Sequence, residues 1–395
     1  MLPEDVALGN PTLTALDAGA SPEEVMALRE ATATLVLVGV PGGCSYGSSG
    51  EKSTSGGQLS VGIDHVSWAV GKDFLGVNFL SPGAHYLYWS WGPEGGRSGR
   101  FIWCSAGAVL AFKWNDSWES LDEVGEEELL RWEETVTNLR VEPHLAPYQR
   151  KYHTVWIELT AFVNEAVISR LSPVGRRIRS SLAEYDKLGT FDQGVLHPST
   201  IFFSELPKPK PSTAAYLDQS DVTERLLAAV KKSDLEWSRK FHTLPPGVHP
   251  IGLSAEEIGL LGELQFAFVV FLLGQTLEGF EQWKALLLLL SSSPGLAESR
   301  PRLVSDFIRV VCGQMQSMPR DLFEDTFLKD SFLKAVLGNI GASWLEAEDA
   351  TVRSRAIMLQ AYFRKAYQID ISTLEDEGDD APVLLDEEPQ FVAFA

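Results

Sequence analysis

A chain of 395 residues is long enough for two or three domains and needs neither disulfides nor metal to bury a core. Hydrophobic residues make up 45% and charged residues 22%, as in ordinary globular proteins, but 54 acids stand against 33 bases for a formal charge of −21. Phosphates are repelled by such a surface, which disfavours direct binding of nucleic acid.

Three cysteines, Cys44, Cys104 and Cys312, are odd in number and far apart, against both a secreted disulfide framework and a zinc site. The N-terminus carries Glu4 and Asp5 rather than a basic-then-apolar signal. The longest apolar run, Phe266 to Leu273, is far short of the roughly 20 residues that span a bilayer. The expectation is cytosol, nucleus or both, with no membrane, no cofactor and no metal.

Residues 1–20 read as a loose leader. At Ser21-Pro22-Glu23-Glu24 a short helix begins, with serine as cap, proline in the first turn and Glu24 completing a capping box. Leu35-Val36-Leu37-Val38 reads as a buried strand ending at Pro41-Gly42-Gly43. From Ser48 to Gln58 the chain is nearly all Ser, Gly, Lys and Glu, too polar to offset the cost of ordering, so a mobile insertion is predicted over residues 48–61. Short β-type runs follow at Phe74–Leu80, Ala84–Trp91, Arg100–Cys104 and Val109–Trp114, and Ser81-Pro82-Gly83-Ala84 suits a type II turn. Closely spaced strands with glycine turns predict a β-rich sandwich or half-barrel over residues 21–142.

The hydrophobic period then changes. Nine acids and one base between Asp116 and Glu134 predict a solvated, partly helical connector. Trp156, Leu159, Val163, Val167 and Leu171 recur at helical spacing, and residues 143–370 read as a helical domain with a proline-rich linker near 202–222. A helix is predicted from Ser254, with Glu257 placed for a capping box. Further helical faces carry Leu277, Phe280, Trp283 and Leu287, then Leu303, Phe307 and Val310, then Phe323, Phe327, Phe332 and Val336, then Val352, Leu359 and Phe363. Helices apolar on most sides bury one another, so this half is expected to be all-α, a bundle or short solenoid without internal repeat. The fold class is α+β. Residues 371–395 form an acidic tail that also carries Pro382-Val383-Leu384-Leu385 and Phe391-Val392-Ala393-Phe394.

One motif invites a catalytic reading. Gly43-Cys44-Ser45-Tyr46-Gly47 follows a strand and fits the nucleophile-elbow pattern, with a histidine such as His85 as base. That elbow needs a helix directly after the serine, and Ser48 to Gly57 is a poor helix former, so a glycine-rich loop is the better reading. Gly50-Glu51-Lys52-Ser53 fails as a phosphate loop because glutamate stands where glycine should adjoin lysine. His65, His85, His144 and His153 have no metal-ligand spacing. The run Arg170, Arg176, Arg177 and Arg179 is the best basic patch, and it reads as solvated surface.

Four segments resemble the AAR-two splicing-factor family. The first is Gly62-Ile63-Asp64, Trp68, Phe74-Leu75-Gly76-Val77 and Pro82-Gly83-Ala84-His85-Tyr86. The second is Leu145-Ala146-Pro147-Tyr148 with Trp156, and the third Phe203-Ser204-Glu205-Leu206-Pro207. The fourth runs from Gly262-Glu263-Leu264-Gln265-Phe266-Ala267-Phe268 through Leu273-Gly274 to Phe280-Glu281-Gln282-Trp283-Lys284. Order and spacing match over roughly residues 20–385, with the Ser48 to Val61 insertion as the departure.

The resemblance implies a β-rich N-terminal domain, a VHS-like helical C-terminal domain and no catalysis. It implies a U5 snRNP assembly chaperone that grips the large spliceosomal scaffold protein through its RNase H-like and Jab/MPN-like domains and keeps the U5 helicase off it. Partners would be that scaffold and other U5 snRNP components, with RNA reached only indirectly. The location would be cytoplasmic, with nuclear entry as part of the U5 precursor, and phosphorylation would trigger the exchange for the helicase. Competing readings are a serine hydrolase using Ser45 and a helical trafficking adaptor.

Val383, Leu384 and Leu385 are the expected partner-binding residues of the tail, with Phe391 and Phe394 as aromatic anchors on physical grounds alone. Candidate regulatory phosphorylation sites are Ser212, Thr213 and Ser220 in the linker region, and Ser254 at a helix start, where a phosphate would instead favour the helix.

Overall fold

Strand β1 (Ala33–Val38) is buried at every position and apolar at all but Thr34, because both of its faces are covered. Side chains alternate along a strand, so Leu35 and Leu37 enter one apolar cluster while Val36 and Val38 enter another. Around β1 lie β4 (Gly76–Leu80), β7 (Val109–Asn115), β8 (Ser120–Glu123) and β9 (Leu145–Pro147), in the sheet order β8-β7-β1-β4-β9. β1 runs parallel to β7 and antiparallel to β4. The computed structural model describes residues 22–43, 58–92, 95–180, 199–206, 227–228, 231–232, 252–293, 295–329 and 332–374.

A second sheet, antiparallel throughout, is built from β2 (Leu59–Ile63), β3 (Val66–Ala69), β5 (Gly83–Trp91), β6 (Ser98–Cys104) and β10 (Ile178–Arg179), in the order β10-β6-β5-β2-β3. Between the sheets, Leu35, Leu37 and Phe112 of the first meet Val61, Leu87, Trp89 and Ile102 of the second. Gly83 sits at φ +130° where the chain leaves β4 in the first sheet for β5 in the second, a backbone conformation that suits glycine.

Both sheets are covered on their outer faces. Helix α2 (Glu126–Thr137) lays Trp132 and Val136 against Val36 and Val38 of the first sheet. Tyr86, Tyr88 and Phe101 point from the second sheet into the helical half, where the Phe101 and Phe266 rings stack at 4.5 Å. The result is four layers: helix, sheet, sheet, helices. A short helix, α1 (Pro22–Ala31), precedes β1, and its expected cap Ser21 lies outside the described residues.

Three expectations are corrected here. The acidic stretch from Asp116 is not a connector, because it supplies strand β8 and the packed helix α2. The insertion predicted as mobile over 48–61 gives up Leu59–Val61 to strand β2, while residues 44–57 lie outside the described set. Strand-forming sequence continues past residue 142, since β9 and β10 join the two sheets from within the stretch read as helical.

In the helical half, the single helical spacing from Trp156 to Leu171 divides into α3 (His153–Thr160) and α4 (Glu165–Leu171). Asn164 causes the division by capping α4, its side chain accepting from the Val167 N–H at 2.9 Å. Helix α5 (Ala255–Leu272) begins with the predicted capping box at Ser254 and Glu257. Every residue from Glu257 to Val270 is buried, as befits a helix apolar all round. Gly262 faces the end of α3 so closely that a Cβ there would stand 2.5 Å from the Phe162 carbonyl oxygen. Against α5 pack α6 (Leu277–Ser291) and α8 (Pro301–Ser317); α7 (Leu296–Ser299) and α11 (Ala350–Tyr367) lie on α8, α10 (Phe332–Trp344) lies on α6 and α11, and α9 (Arg320–Lys329) on α10. The fold class read from the sequence, a β-rich half followed by a helical half, is the one observed.

Candidate functional site

Asp64 occupies the turn between β2 and β3 at φ +56°, a left-handed conformation that aspartate tolerates better than most residues. Its carboxylate is buried and fully used. Oδ1 accepts from the Tyr86 N–H at 2.9 Å, and Oδ2 accepts from the Tyr148 hydroxyl at 2.6 Å and from His85 Nδ1 at 2.6 Å. His85 Nε2 donates to the Ser81 carbonyl at 2.7 Å, and the Ser81 hydroxyl lies 3.5 Å from the same nitrogen and 3.0 Å from His153 Nδ1. From α3, Trp156 Nε1 donates to the Ala84 carbonyl at 2.7 Å, and its ring lies nearly parallel to His85.

Asp64, His85 and Ser81 thus stand in the order of a hydrolase triad, but the imidazole cannot act as a base. Both ring nitrogens face oxygen acceptors, a carboxylate and a carbonyl, so both carry hydrogen and no lone pair is left to take the Ser81 proton. Burial pulls the His85 pKa down, but the charge and hydrogen bond of Asp64 with the Ser81 carbonyl outweigh it and hold it above the usual histidine value. At 1% exposure on both Asp64 and His85 there is also no room for a substrate. Beside them, burial pushes His65 below the usual value against the opposing charge of Asp64.

A second buried carboxylate organises the helical half. Glu263 Oε2 accepts from Arg170 Nη1 and from the Ser204 hydroxyl, both at 2.8 Å, and Oε1 accepts from the Ser204 N–H at 2.7 Å and Gln282 Nε2 at 2.9 Å. Arg170 also donates to the Gly259 carbonyl at 3.3 Å. One carboxylate therefore fastens α4, α5, α6 and the extended segment at Ser204. Two residues along, Gln265 closes the α3–α5 contact, accepting from the Phe162 N–H at 2.7 Å and donating to the Glu158 carbonyl at 2.8 Å.

The residues singled out from the sequence fall unevenly. Val383, Leu384, Leu385, Phe391 and Phe394, together with Ser212, Thr213, Ser220 and Ser45, lie outside the described residues. Ser254 is exposed and is the cap of α5, its hydroxyl oxygen accepting from the Glu257 N–H at 3.2 Å. The basic patch loses Arg170, which is buried on Glu263 rather than solvated. Arg177 stays near the surface, donating to the Trp118 carbonyl at 3.1 Å. Among the described residues, no group of three or more His, Cys, Asp or Glu side chains is placed to hold a metal, and no helix is long and apolar enough to cross a membrane. Ser81 and Arg170 were missed as members of the two polar clusters. Asp64, His85, Tyr148, Trp156, Ser204, Glu263, Gln265 and Gln282 all stand in the segments that carry the family resemblance, which was the available signal.

Comparison with known proteins covers both halves. Residues 31–173 match the family description AAR2 N-terminal domain, and residues 200–372 match the AAR2 C-terminal repeat region. The sequence itself shows no fixed repeat period in that part, and its helices differ in length. The Homo sapiens protein named Protein AAR2 homolog is 28% identical over 392 residues, covering 90% of this chain and 93% of that protein. The Mus musculus protein of the same name is 28% identical over 389 residues with the same coverage. The Caenorhabditis elegans one is 28% identical over 334 residues, covering 79% of this chain and 91% of that protein. With both of its halves matched in order, and with the motif residues found at the polar clusters that hold those halves together, the chain belongs to the AAR2 family.

Proposed function

We propose that this protein is a non-catalytic assembly chaperone of the U5 snRNP, acting in pre-mRNA splicing. It binds the RNase H-like and Jab/MPN-like domains of the large spliceosomal scaffold protein and blocks premature helicase binding. The observation that carries the reading is membership of the AAR2 family through both halves of the chain. The saturated Asp64–His85–Ser81 cluster supports the non-enzymatic part, since the polar residues that resemble catalytic ones are spent on structure. The charge of −21 supports a protein partner with basic surfaces, with RNA reached only through that partner. A cytoplasmic site of action, with nuclear entry alongside the U5 precursor, goes with the family reading.

In this reading the tail binds in an extended form through Val383, Leu384 and Leu385, with Phe391 and Phe394 as anchors, and phosphorylation at Ser212, Thr213, Ser220 or Ser254 loosens the complex. The test is a binding measurement between the full chain and a fragment of the scaffold carrying both domains. Deleting residues 381–395 is expected to leave the melting temperature almost unchanged and to weaken binding by at least about tenfold, or about 1.4 kcal/mol. A full chain that does not bind the fragment sinks the whole proposal, and a truncated chain that binds as tightly sinks the role of the tail. Labelling of Ser45 by a fluorophosphonate probe would instead favour a hydrolase.

A further inference from the structure

Helix α2 has two unlike faces. Trp132 and Val136 face the sheet, while Glu126, Glu127, Leu130 and Glu134 face away from it. Helical spacing places Glu126 and Glu127 one turn before Leu130, and Glu133 and Glu134 one turn after it. Leu130 is 60% exposed. A single exposed leucine is ordinary, but this one is enclosed by four glutamates on a helix with one base, Arg131.

Beside that face, between α2 and β7, is a hollow of about 580 Å³ whose lining includes Trp132, Glu127, Glu128, Lys113 and Arg131. Its two cations are held only loosely. Lys113 is 3.6 Å from Glu128, Arg131 is 2.5 Å from Glu127, and exposed pairs of this kind contribute little and exchange readily.

We propose that the outward face of α2 is a docking surface for a basic, amphipathic segment of a protein partner. Lysines and arginines of that segment meet Glu126, Glu127 and Glu134, one of them reaches the rim of the hollow at Glu127 and Glu128, and an apolar side chain covers Leu130. Charge complementarity selects this occupant. The glutamates repel acidic segments and nucleic acid, and the charge of −21 draws a basic partner in from a distance. The apolar centre then holds what the charges have gathered, as interface anchors do. The surface needs no particular identity for the partner, so it stands apart from the scaffold reading above.

The test uses the full chain and a labelled amphipathic helical peptide of leucine, arginine and alanine, with binding followed by fluorescence anisotropy. Leu130→Gln, and separately the double change Glu127→Gln with Glu134→Gln, are expected to weaken binding about tenfold, and the affinity of the unaltered chain is expected to fall with salt. A control pair, Glu346→Gln with Glu348→Gln, removes the same charge from an exposed loop before α11 and is expected to change binding by less than about twofold. All the altered positions are solvent-facing, and unchanged melting temperatures check that the variants fold. The proposal is overturned if the peptide does not bind, if Leu130→Gln has no effect, or if the control pair weakens binding as much as the α2 pair.

Discussion

Asp64 in the sandwich and Glu263 in the helical half are both buried carboxylates with every oxygen occupied, yet they are neutralised by different cations. Asp64 is paired with His85 and Glu263 with Arg170. Arginine keeps its charge at any pH a protein experiences, whereas histidine can lose its proton near neutrality. The two also differ in reach. Asp64 fastens one corner, where the β2–β3 turn meets β5 and Tyr148. Glu263 gathers residues as far apart in sequence as Arg170, Ser204 and Gln282. The comparison teaches that the helical half is held by a permanent ion pair joining distant segments, and the sandwich corner by a titratable one.

The largest effect is therefore expected at Glu263. Glu263→Leu leaves the Arg170 guanidinium buried without its counter-charge, and losing one partner of such a pair costs about 3–5 kcal/mol. Adding Arg170→Met to that variant is expected to restore much of the loss, because a buried pair replaced as a unit by apolar residues is close to neutral. Urea unfolding of the single and double variants measures both. Asp64→Asn is expected to cost less, about 1–3 kcal/mol, since the amide oxygen can still accept from the Tyr86 N–H or the Tyr148 hydroxyl. Equal losses at the two sites would erase the distinction between them.

Next in size is the dependence on pH, where the two clusters should part. His85 is held above its unfolded value of about 6.5, so the native state binds the extra proton. Its contribution is complete below about pH 6.5 and is lost as pH rises through the raised folded value. His65 has the opposite sign. Burial lowers its pKa, so its contribution is complete above about pH 6.5 and is lost as pH falls through the lowered folded value. Urea midpoints measured across this range are expected to be highest near pH 6.5 and to fall on both sides. Asp64→Asn should flatten the alkaline side, whereas the double variant at Arg170 and Glu263 should keep the shape of the curve. An alkaline limb that survives Asp64→Asn would show that His85 is not its source.

Much of the fold was legible because it rests on local signals. Short runs of β-forming residues marked β1, β4, β5, β6 and β7, and the spacing of Ser254 and Glu257 marked the start of α5. What was not legible depended on tertiary context. Leu59–Ile63 is short and follows a polar stretch, and it becomes a strand only because β3 and β5 flank it. The acids from Asp116 to Glu134 hide the apolar stripe of Trp132 and Val136, which three first-turn glutamates precede. Arg170 reads as a surface residue beside Arg176 and Arg177, and only the fold brings Glu263 to it. Of the expected tail-binding and phosphorylation residues, Ser254 alone falls among the described ones, and most members of the polar clusters were visible only in the family-like segments.

The smallest effect is expected at the opening of the helix that carries Glu263. Ser254 accepts from the Glu257 N–H at 3.2 Å, and Glu257 returns the contact by accepting from the Ser254 N–H at 2.7 Å. Glu257 also pairs with Arg300 at 2.8 Å, so the cap is tied to the start of α8 as well as to its own helix. Ser254→Ala removes the side-chain acceptor and leaves the Glu257 N–H to water, at a cost of about 1 kcal/mol. Ser254→Asp restores an acceptor at the positive end of the helix, where aspartate caps as well as serine, but adds a charge beside Glu257. The aspartate variant is expected to fall between wild type and alanine in thermal unfolding. If alanine were as damaging as Glu263→Leu, the strength of this half would lie in the entry to α5 rather than in the ion pair at its centre. If aspartate were worse than alanine, repulsion from Glu257 would outweigh the cap, and a phosphate on the same hydroxyl would loosen the helix rather than favour it.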